Sequence, residues 1–417
     1  MREIFAKHPH WQQVLSIVQK LNARGFVAFL AGGAVRDALL GRPIHDFDIA
    51  TDARPDESAG LFPNALDIGK QFGIMMIPIG HGEKAEQRGD KIEIATFRSD
   101  GEYLDGRHPQ SISFSNAEED AKRRDFTVNA LFFDIQNDRV IDYVDGLKDL
   151  KNGVIRAVGE PKKRFVEDKL RLLRAVRFSA QLGFYIDTDT LQAIQELAIE
   201  IRVVSRERIT AELERLAHSR RVAAGFSTLI ETGLFRAIFS TFRFIESTLL
   251  RQKFLEALSH LSGVGSLEMI LALMIILEQE YGTVQKNAFE RLALSRDSRA
   301  RVNFLVRGVA TIKAGGEDAL LLLNTEEGPL LSEFGFTLET IGLLPRRWMS
   351  DTLERFLNLA DASGQLPRPF LNGNDLKNLG IEPGPKLGQV LTELYRRQLR
   401  GEIRTREEAL RAAKSDR

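Results

Sequence analysis

The apolar positions change their period once along the chain. From Gly25 to about Asp149, short runs rich in β-branched and aromatic residues alternate with polar turns. Phe26–Ala31, Phe47–Ala50, Ile74–Ile79, Lys91–Phe97 and Leu131–Ile135 predict strands. Residues 1–23 predict an amphipathic helix, 34–40 a helix directly after Gly32-Gly33, and 117–130 contain another. After Glu160 strand signals nearly vanish. Long 3.6-residue patterns follow one another, broken at Gly183, Gly233, Gly263–Gly265 and Gly315–Gly316. The fold class is therefore α+β at the N-terminal side and all-α beyond it. No internal repeat or low-complexity segment interrupts this order.

Composition narrows the classes. A chain of 417 residues accommodates two to four domains. Lys+Arg and Asp+Glu are equal at 58 each, which argues against wholesale coating of nucleic acid but permits a local basic groove. Cysteine is absent, so disulfides, zinc-thiolate sites and cysteine nucleophiles are excluded. Met1–Gln13 has no apolar signal core. The richest apolar run, Leu267–Leu277, is 11 residues long and carries Glu268, too short to span a bilayer. A cytoplasmic location is expected, with no membrane and no obligate protein partner.

The first chemistry-bearing stretch joins Gly32-Gly33-Ala34-Val35-Arg36 to His45-Asp46-Phe47-Asp48. Glycines between a strand and a helix let backbone N–H groups approach a phosphate, and Arg36 lies one turn into that helix. The same dipeptide also serves as a plain turn between packed elements. Asp46 and Asp48 add specificity. Residues i and i+2 of a strand share a face, and two carboxylates there repel unless a cation lies between them. Mg²⁺ prefers carboxylate and phosphate oxygens, and such a pair can hold the two ions of in-line nucleotidyl transfer. Glu93, in the alternating run Ile92-Glu93-Ile94, is a candidate third carboxylate or an ordinary strand glutamate.

Two Arg-rich stretches follow. Arg123-Arg124-Asp125-Phe126-Thr127-Val128-Asn129 suits phosphate binding or a salt-bridged helix end. In Glu167-Asp168-Lys169-Leu170-Arg171, with Arg174 and Arg177 beyond, helical spacing puts Asp168 and Arg171 one turn apart. A carboxylate only accepts hydrogen bonds and a guanidinium only donates. Cytosine and adenine each present an amino donor beside a ring acceptor, whereas uracil and guanine present a carbonyl beside a ring N–H. One Asp–Arg pair therefore accepts CTP and ATP and rejects UTP and GTP without a template. A solvated, salt-bridged helix is the competing account.

Five ordered motifs, GGAVRDALLG, HDFDIAT, IEIATFR, RRDFTVNAL and RFVEDKLRLLRAVRF, together resemble the class II tRNA nucleotidyltransferase family, CCA-adding enzymes and bacterial poly(A) polymerases. The resemblance runs from about Phe26 to Phe184, with a weaker echo in FLNGNDLKNLGIEPGP. It implies a β-polymerase-like nucleotidyltransferase head (1–152), a helical neck that recognises the base (153–218), a helical body (219–330) and a helical, tRNA-binding tail (331–417). It implies Asp46 and Asp48 as catalytic metal ligands for Mg²⁺, Glu93 as a further catalytic carboxylate, and Gly33, Arg36 and Arg124 around the nucleotide. Asp168 and Arg171 become base readers, with Arg174 and Arg177 lining the same pocket. The implied substrates are CTP, ATP and the tRNA 3′ end. The segment Ser99–Pro109 resembles the flexible loop of CCA-adding enzymes, and Gly69–Gly73 points to the same branch. Lys169 stands where the family usually has a small residue. Lys386–Arg417 carries nine Lys/Arg against five Asp/Glu, which fits a long RNA partner. A-adding, CC-adding and poly(A)-adding activities remain alternatives, as does a silent RNA-binding module, although a binder has no need of the Asp46–Asp48 charge pair.

Overall fold

The computed structural model describes residues 1–69, 73–79, 91–101, 111–261, 263 and 265–415. They divide into two compact units: Met1–Ser240 with Phe289–Ala293, and Thr241–Ala288 with Leu294–Arg417. Segments 1–152 and 153–218 thus lie in the first unit. Among the described residues no helix is long and apolar enough to cross a membrane.

The first unit is built on strands β1 (Ala28–Ala31), β2 (Phe47–Thr51), β3 (Leu66–Gly69), β4 (Ile74–Pro78) and β5 (Lys91–Thr96). A small hairpin of β6 (Arg98–Asp100) and β7 (Ile112–Phe114) follows, then β8 (Phe132–Asp134) and β9 (Arg139–Ile141). Seven of these form one sheet in the order β3-β4-β5-β2-β1-β8-β9. Its β2–β5 pairing is parallel, while β1 runs antiparallel to β2 and β8. Alternation explains the core: Phe47 and Ile49 of β2 and Ile92 and Ile94 of β5 are buried, while Asp48 and Glu93 between them are partly open. Fully burying such side chains stabilises by about 1.5–3 kcal/mol each.

The strands expected from the apolar pattern are all present, within two residues at their ends. The helix expected over residues 1–23 is instead two, Arg2–Phe5 and Trp11–Ala23. Pro9 lies in the break: it lacks an N–H and disfavours helical geometry at His8. Both pieces still face inward, with Phe5, Trp11, Val14, Ile17, Val18 and Leu21 buried.

Past β9 the first unit is largely helical. Helices Pro161–Glu167 and Leu170–Leu182 carry the Arg-rich stretch, and Arg206–Ala217 packs against the second of them. Gly183 closes Leu170–Leu182 in the left-handed conformation at φ 75°, where its missing Cβ removes the strain.

The second unit is helical among its described residues. Leu267–Tyr281 is buried on nearly every side, as its unbroken apolar run requires, and packs on Arg296–Ala314. Near the C-terminus Leu371, Leu376, Ile381, Leu394, Ile403, Ala409 and Ala413 form a separate small core. Arg396 ties it to Asp318 through two hydrogen bonds of 2.7 and 2.8 Å.

Candidate active site

Strand β1 delivers the chain to Gly32, whose φ of 66° suits glycine alone and which caps helix Gly33–Leu39. A Cβ there would lie 3.0 Å from Nη1 of Arg124 and 3.9 Å from Oδ2 of Asp48. The bare glycine therefore lets cation and carboxylate converge on the turn. Asp48 is in register with Ala31 on one side and with Glu93 on the other. Asp46 lies just before β2 and is exposed. Phe47, between the two aspartates, is buried against His8, Phe5 and Trp11, with ring centroids 4.9, 6.0 and 6.4 Å away.

Charge is poorly balanced here. Burial and the negative charges of Glu93 and Asp46 push the Asp48 carboxyl up to about 6, against the opposing pull of Arg124 and Lys91. Glu93 has Lys91 as an ion partner at 3.5 Å. Among the described residues no three or more His, Cys, Asp or Glu side chains cluster as a ready-made metal cage. A cation held by Asp46 and Asp48 would need further oxygens, such as those of a triphosphate.

The arginines have structural partners. Arg123 and Arg124 both pair with buried Asp120, at 2.6 and 3.0 Å, and Arg124 also donates to the Asn129 carbonyl at 3.2 Å. Burial raises the Asp120 carboxyl, but the charges of these two arginines outweigh it and hold it below the usual range. Arg36 gives Nε and Nη2 to Asp37 at 2.9 and 2.8 Å, and Nη1 to Asn129 Oδ1 at 2.5 Å.

One expected geometry is corrected. Asp168 and Arg171 do not share a continuous helix: Asp168 is an extended residue, φ −144° and ψ 105°, between Pro161–Glu167 and Leu170–Leu182. Its Oδ1 accepts the Leu170 N–H at 3.1 Å, and its Oδ2 pairs with Arg208 at 2.7 Å. Arg171 pairs with Glu167 at 2.8 Å and donates to the carbonyls of Arg164 and Arg123 at 3.0 and 3.3 Å. The two side chains nevertheless line the same cavity.

Deeper along the helix, Arg174 donates twice to Asp125, at 2.9 and 2.6 Å. Burial pushes Asp125 up, but the charge and bonds of Arg174, the bond from Asn129 and the charge of Arg171 overcome it and hold it at about 2. Arg177 is 6% exposed and bonds Glu212 at 2.6 Å. Burial, with the like charge of Arg174, lowers it to about 10 despite Glu212. The Phe178 ring has the guanidinium carbons of Arg177, Arg36 and Arg174 at 3.6, 5.2 and 5.2 Å, within cation–π range.

All ten candidate residues, Gly33, Arg36, Asp46, Asp48, Glu93, Arg124, Asp168, Arg171, Arg174 and Arg177, line one cavity of about 710 Å³ within the first unit. Asp125, Asn129, Phe178, Arg208 and Arg215 line it as well, and Glu212 supports it from behind. The sequence reading assigned none of these a role. Asp125 and Asn129 were visible four residues apart beside the arginine pair, whereas Glu212, 35 residues from Arg177, left no local signal. A neighbouring cavity of about 830 Å³ shares Arg123 but lacks the carboxylate pair. The loop residues 102–109 and residues 70–72 lie outside the described residues.

The description "Poly A polymerase head domain" matches residues 28–156, and "Probable RNA and SrmB- binding site of polymerase A" matches residues 183–245. The CCA-adding enzyme of Geobacillus thermodenitrificans is 44% identical over 227 residues, a match spanning about half of each chain, 54%. That of Streptococcus gordonii is 34% identical over 399 residues, 92% of each chain. The crystal structure of the Bacillus stearothermophilus CCA-adding enzyme in complex with CTP superposes with a TM-score of 0.73 at 30% identity, covering 96% of this chain and 95% of that one. With its carboxylate pair, arginine wall and near full-length similarity, the chain belongs to the CCA-adding enzyme family, the tRNA nucleotidyltransferases.

Proposed function

We propose that the protein adds CMP and AMP, taken from CTP and ATP, to the 3′ end of tRNA without a nucleic-acid template. The observation that carries this reading is the single cavity joining Asp46, Asp48 and Glu93 to an arginine wall and to Asp168. The names of the relatives matched over most of their length support the same activity.

The raised carboxyl of Asp48, crowded by Glu93 and Asp46, fits a site designed for a cation. Asp46 and Asp48 would hold Mg²⁺, in a two-ion arrangement, and the metal supplies charge neutralisation at the triphosphate and a more acidic 3′-hydroxyl. Arg124, Arg36 and the backbone at Gly33 border the phosphates. Asp168 and Arg171 meet the base edge, with Arg174 and Arg177 behind them. The RNA 3′-oxygen attacks the α-phosphorus in line, the bond to the β-phosphate oxygen breaks, and pyrophosphate leaves. Glu93, 39% exposed, would accept the hydroxyl proton or assist the carboxylate pair. The segment 331–417 is the proposed seat of the tRNA, and the cytoplasm the proposed location.

The test is incubation with tRNA ending at the discriminator base, tRNA ending in CC, and an unrelated RNA, each NTP being supplied separately. CCA addition predicts two C residues and then one A on the first substrate, and a single A on the second. Exclusive A addition, a stop after two C residues, or long A tails on unrelated RNA would each replace this activity with a sister one.

A further inference from the structure

Asp168 lies at a corner between two helices, and the residue after it is tied to both sides of that corner. The Lys169 ammonium donates to the Val166 carbonyl at 2.9 Å. Val166 belongs to the last turn of Pro161–Glu167, where carbonyls have no helical partner and a lysine is favourable. The same ammonium pairs with Glu200 at 3.2 Å, with Lys169 13% and Glu200 37% exposed. Glu200 lies on the 3₁₀ turn Ala198–Val203, so Lys169 fastens the corner to a third element. Asp168 itself has extended backbone; its carbonyl accepts the Arg171 N–H at 3.0 Å, and its carboxylate is held by the Leu170 N–H and by Arg208. A side chain as short as alanine's at this position could make neither of these contacts.

We propose that Lys169 is a positioning residue: by clamping the corner to Val166 and Glu200 it steadies the backbone from which the Asp168 carboxylate projects toward its partners, the Leu170 N–H and Arg208, and so sharpens rejection of UTP and GTP. This rests on the base-reading role proposed for Asp168. A partly exposed ion pair is a modest restraint, so its loss weakens selection without destroying catalysis.

The test is single-nucleotide incorporation of CTP, ATP, UTP and GTP on tRNA lacking its CCA end, compared as kcat/KM ratios. In Lys169→Ala the UTP-to-CTP ratio rises by about fivefold, equivalent to about 1 kcal/mol, while CMP addition stays within about twofold of wild type. Glu200→Gln moves the ratio the same way by a smaller factor, and Lys169→Arg, which can still donate to both partners, restores it. Should Lys169→Ala fail to fold, Glu200→Gln at its more open position carries the test. Wild-type ratios in Lys169→Ala and Glu200→Gln, alongside relaxed ratios in Asp168→Ala, would overturn the clamp alone. Slower CMP addition with unchanged ratios would also overturn it, as a merely structural role. Unchanged ratios in Asp168→Ala as well would remove the base-reading role and the clamp together.

Discussion

Asp48 stands in register with Glu93 across the parallel pairing of β2 and β5. Parallel register puts both side chains on one face of the sheet, and Asp46, two residues before Asp48, reaches the same cavity. Burial of Asp48 and the nearby charges of Glu93 and Asp46 therefore oppose its ionisation, and the Asp48 carboxyl rises accordingly.

Replacing either Asp46 or Asp48 by alanine is therefore expected to abolish transfer while leaving the fold intact. Among the described residues neither carboxylate makes a hydrogen bond or ion pair that holds elements together, whereas in-line transfer depends on the metal they would hold. Single-turnover CMP addition and circular dichroism on each variant check this. Turnover above about a hundredth of wild type would count against metal ligation at that position.

Asp125 carries the opposite expectation, loss of fold stability. Its carboxylate takes two bonds from Arg174, one from Asn129 and one from the Phe126 N–H. Asp125→Ala removes the acceptor of Asn129 and of the Phe126 N–H and leaves Arg174 only its longer pairing with Glu212 at 3.6 Å, and should cost about 3 kcal/mol at neutral pH. The folded carboxyl titrates at about 2, below its ordinary 3.8, so its contribution is present above 3.8 and is lost as pH falls through about 2. Urea denaturation of both proteins should show the gap narrowing from pH 4 downward. A gap independent of pH would place the stabilising contact elsewhere.

What was legible in the sequence follows from the kind of signal each feature leaves. Ile92-Glu93-Ile94 and Phe47-Asp48-Ile49 alternate, and alternation alone settles which side chains face the core. The Gly32 turn was legible because few residues tolerate its backbone. The corner at Asp168 was not, because Phe165 to Leu173 contains no glycine or proline and reads as one helix. The break depends on Asp168 capping the Leu170 N–H and on Arg208, 40 residues away, holding the other oxygen. Aspartate's preference for helix N-caps was the available local clue. Strand β9 left little signal because only Val140 and Ile141 of its three residues are apolar, whereas β8 lies in the longer apolar run Leu131–Ile135.

RNA affinity should fall as salt rises, although the chain carries no net charge. Lys386, Arg404, Arg411 and Lys414 are exposed on the basic C-terminal segment. Each phosphate they neutralise releases counterions, at about 0.7–0.9 of a unit of slope per contact in log affinity against log salt. Titrating tRNA from low to moderate salt measures the slope, and Lys386→Ala with Arg411→Ala should reduce it. An affinity indifferent to salt would contradict a phosphate-tracking surface there.

The most discriminating expectation concerns Asp168 and Arg171. Each lines the cavity, one offering only acceptors and the other only donors. Their present partners, Arg208 for Asp168 and Glu167 for Arg171, satisfy them without substrate, so a base must compete with or share these bonds. Cytosine and adenine can do so, since amino group meets carboxylate and ring nitrogen meets guanidinium. Uracil sets O4 against the carboxylate and N3–H against the guanidinium, each mismatch costing about 1–3 kcal/mol. Removing one side chain removes one mismatch together with one good contact. Asp168→Ala or Arg171→Ala should therefore slow CMP addition and also lower discrimination against UTP by about tenfold. A purely structural ion pair would instead cost at most about 1 kcal/mol of stability and leave base choice alone. Single-nucleotide incorporation of all four triphosphates on one tRNA separates the two accounts. Wild-type ratios in folded variants would move base selection to other residues of the cavity, Arg174 first among them because it lies one turn further along the same helix.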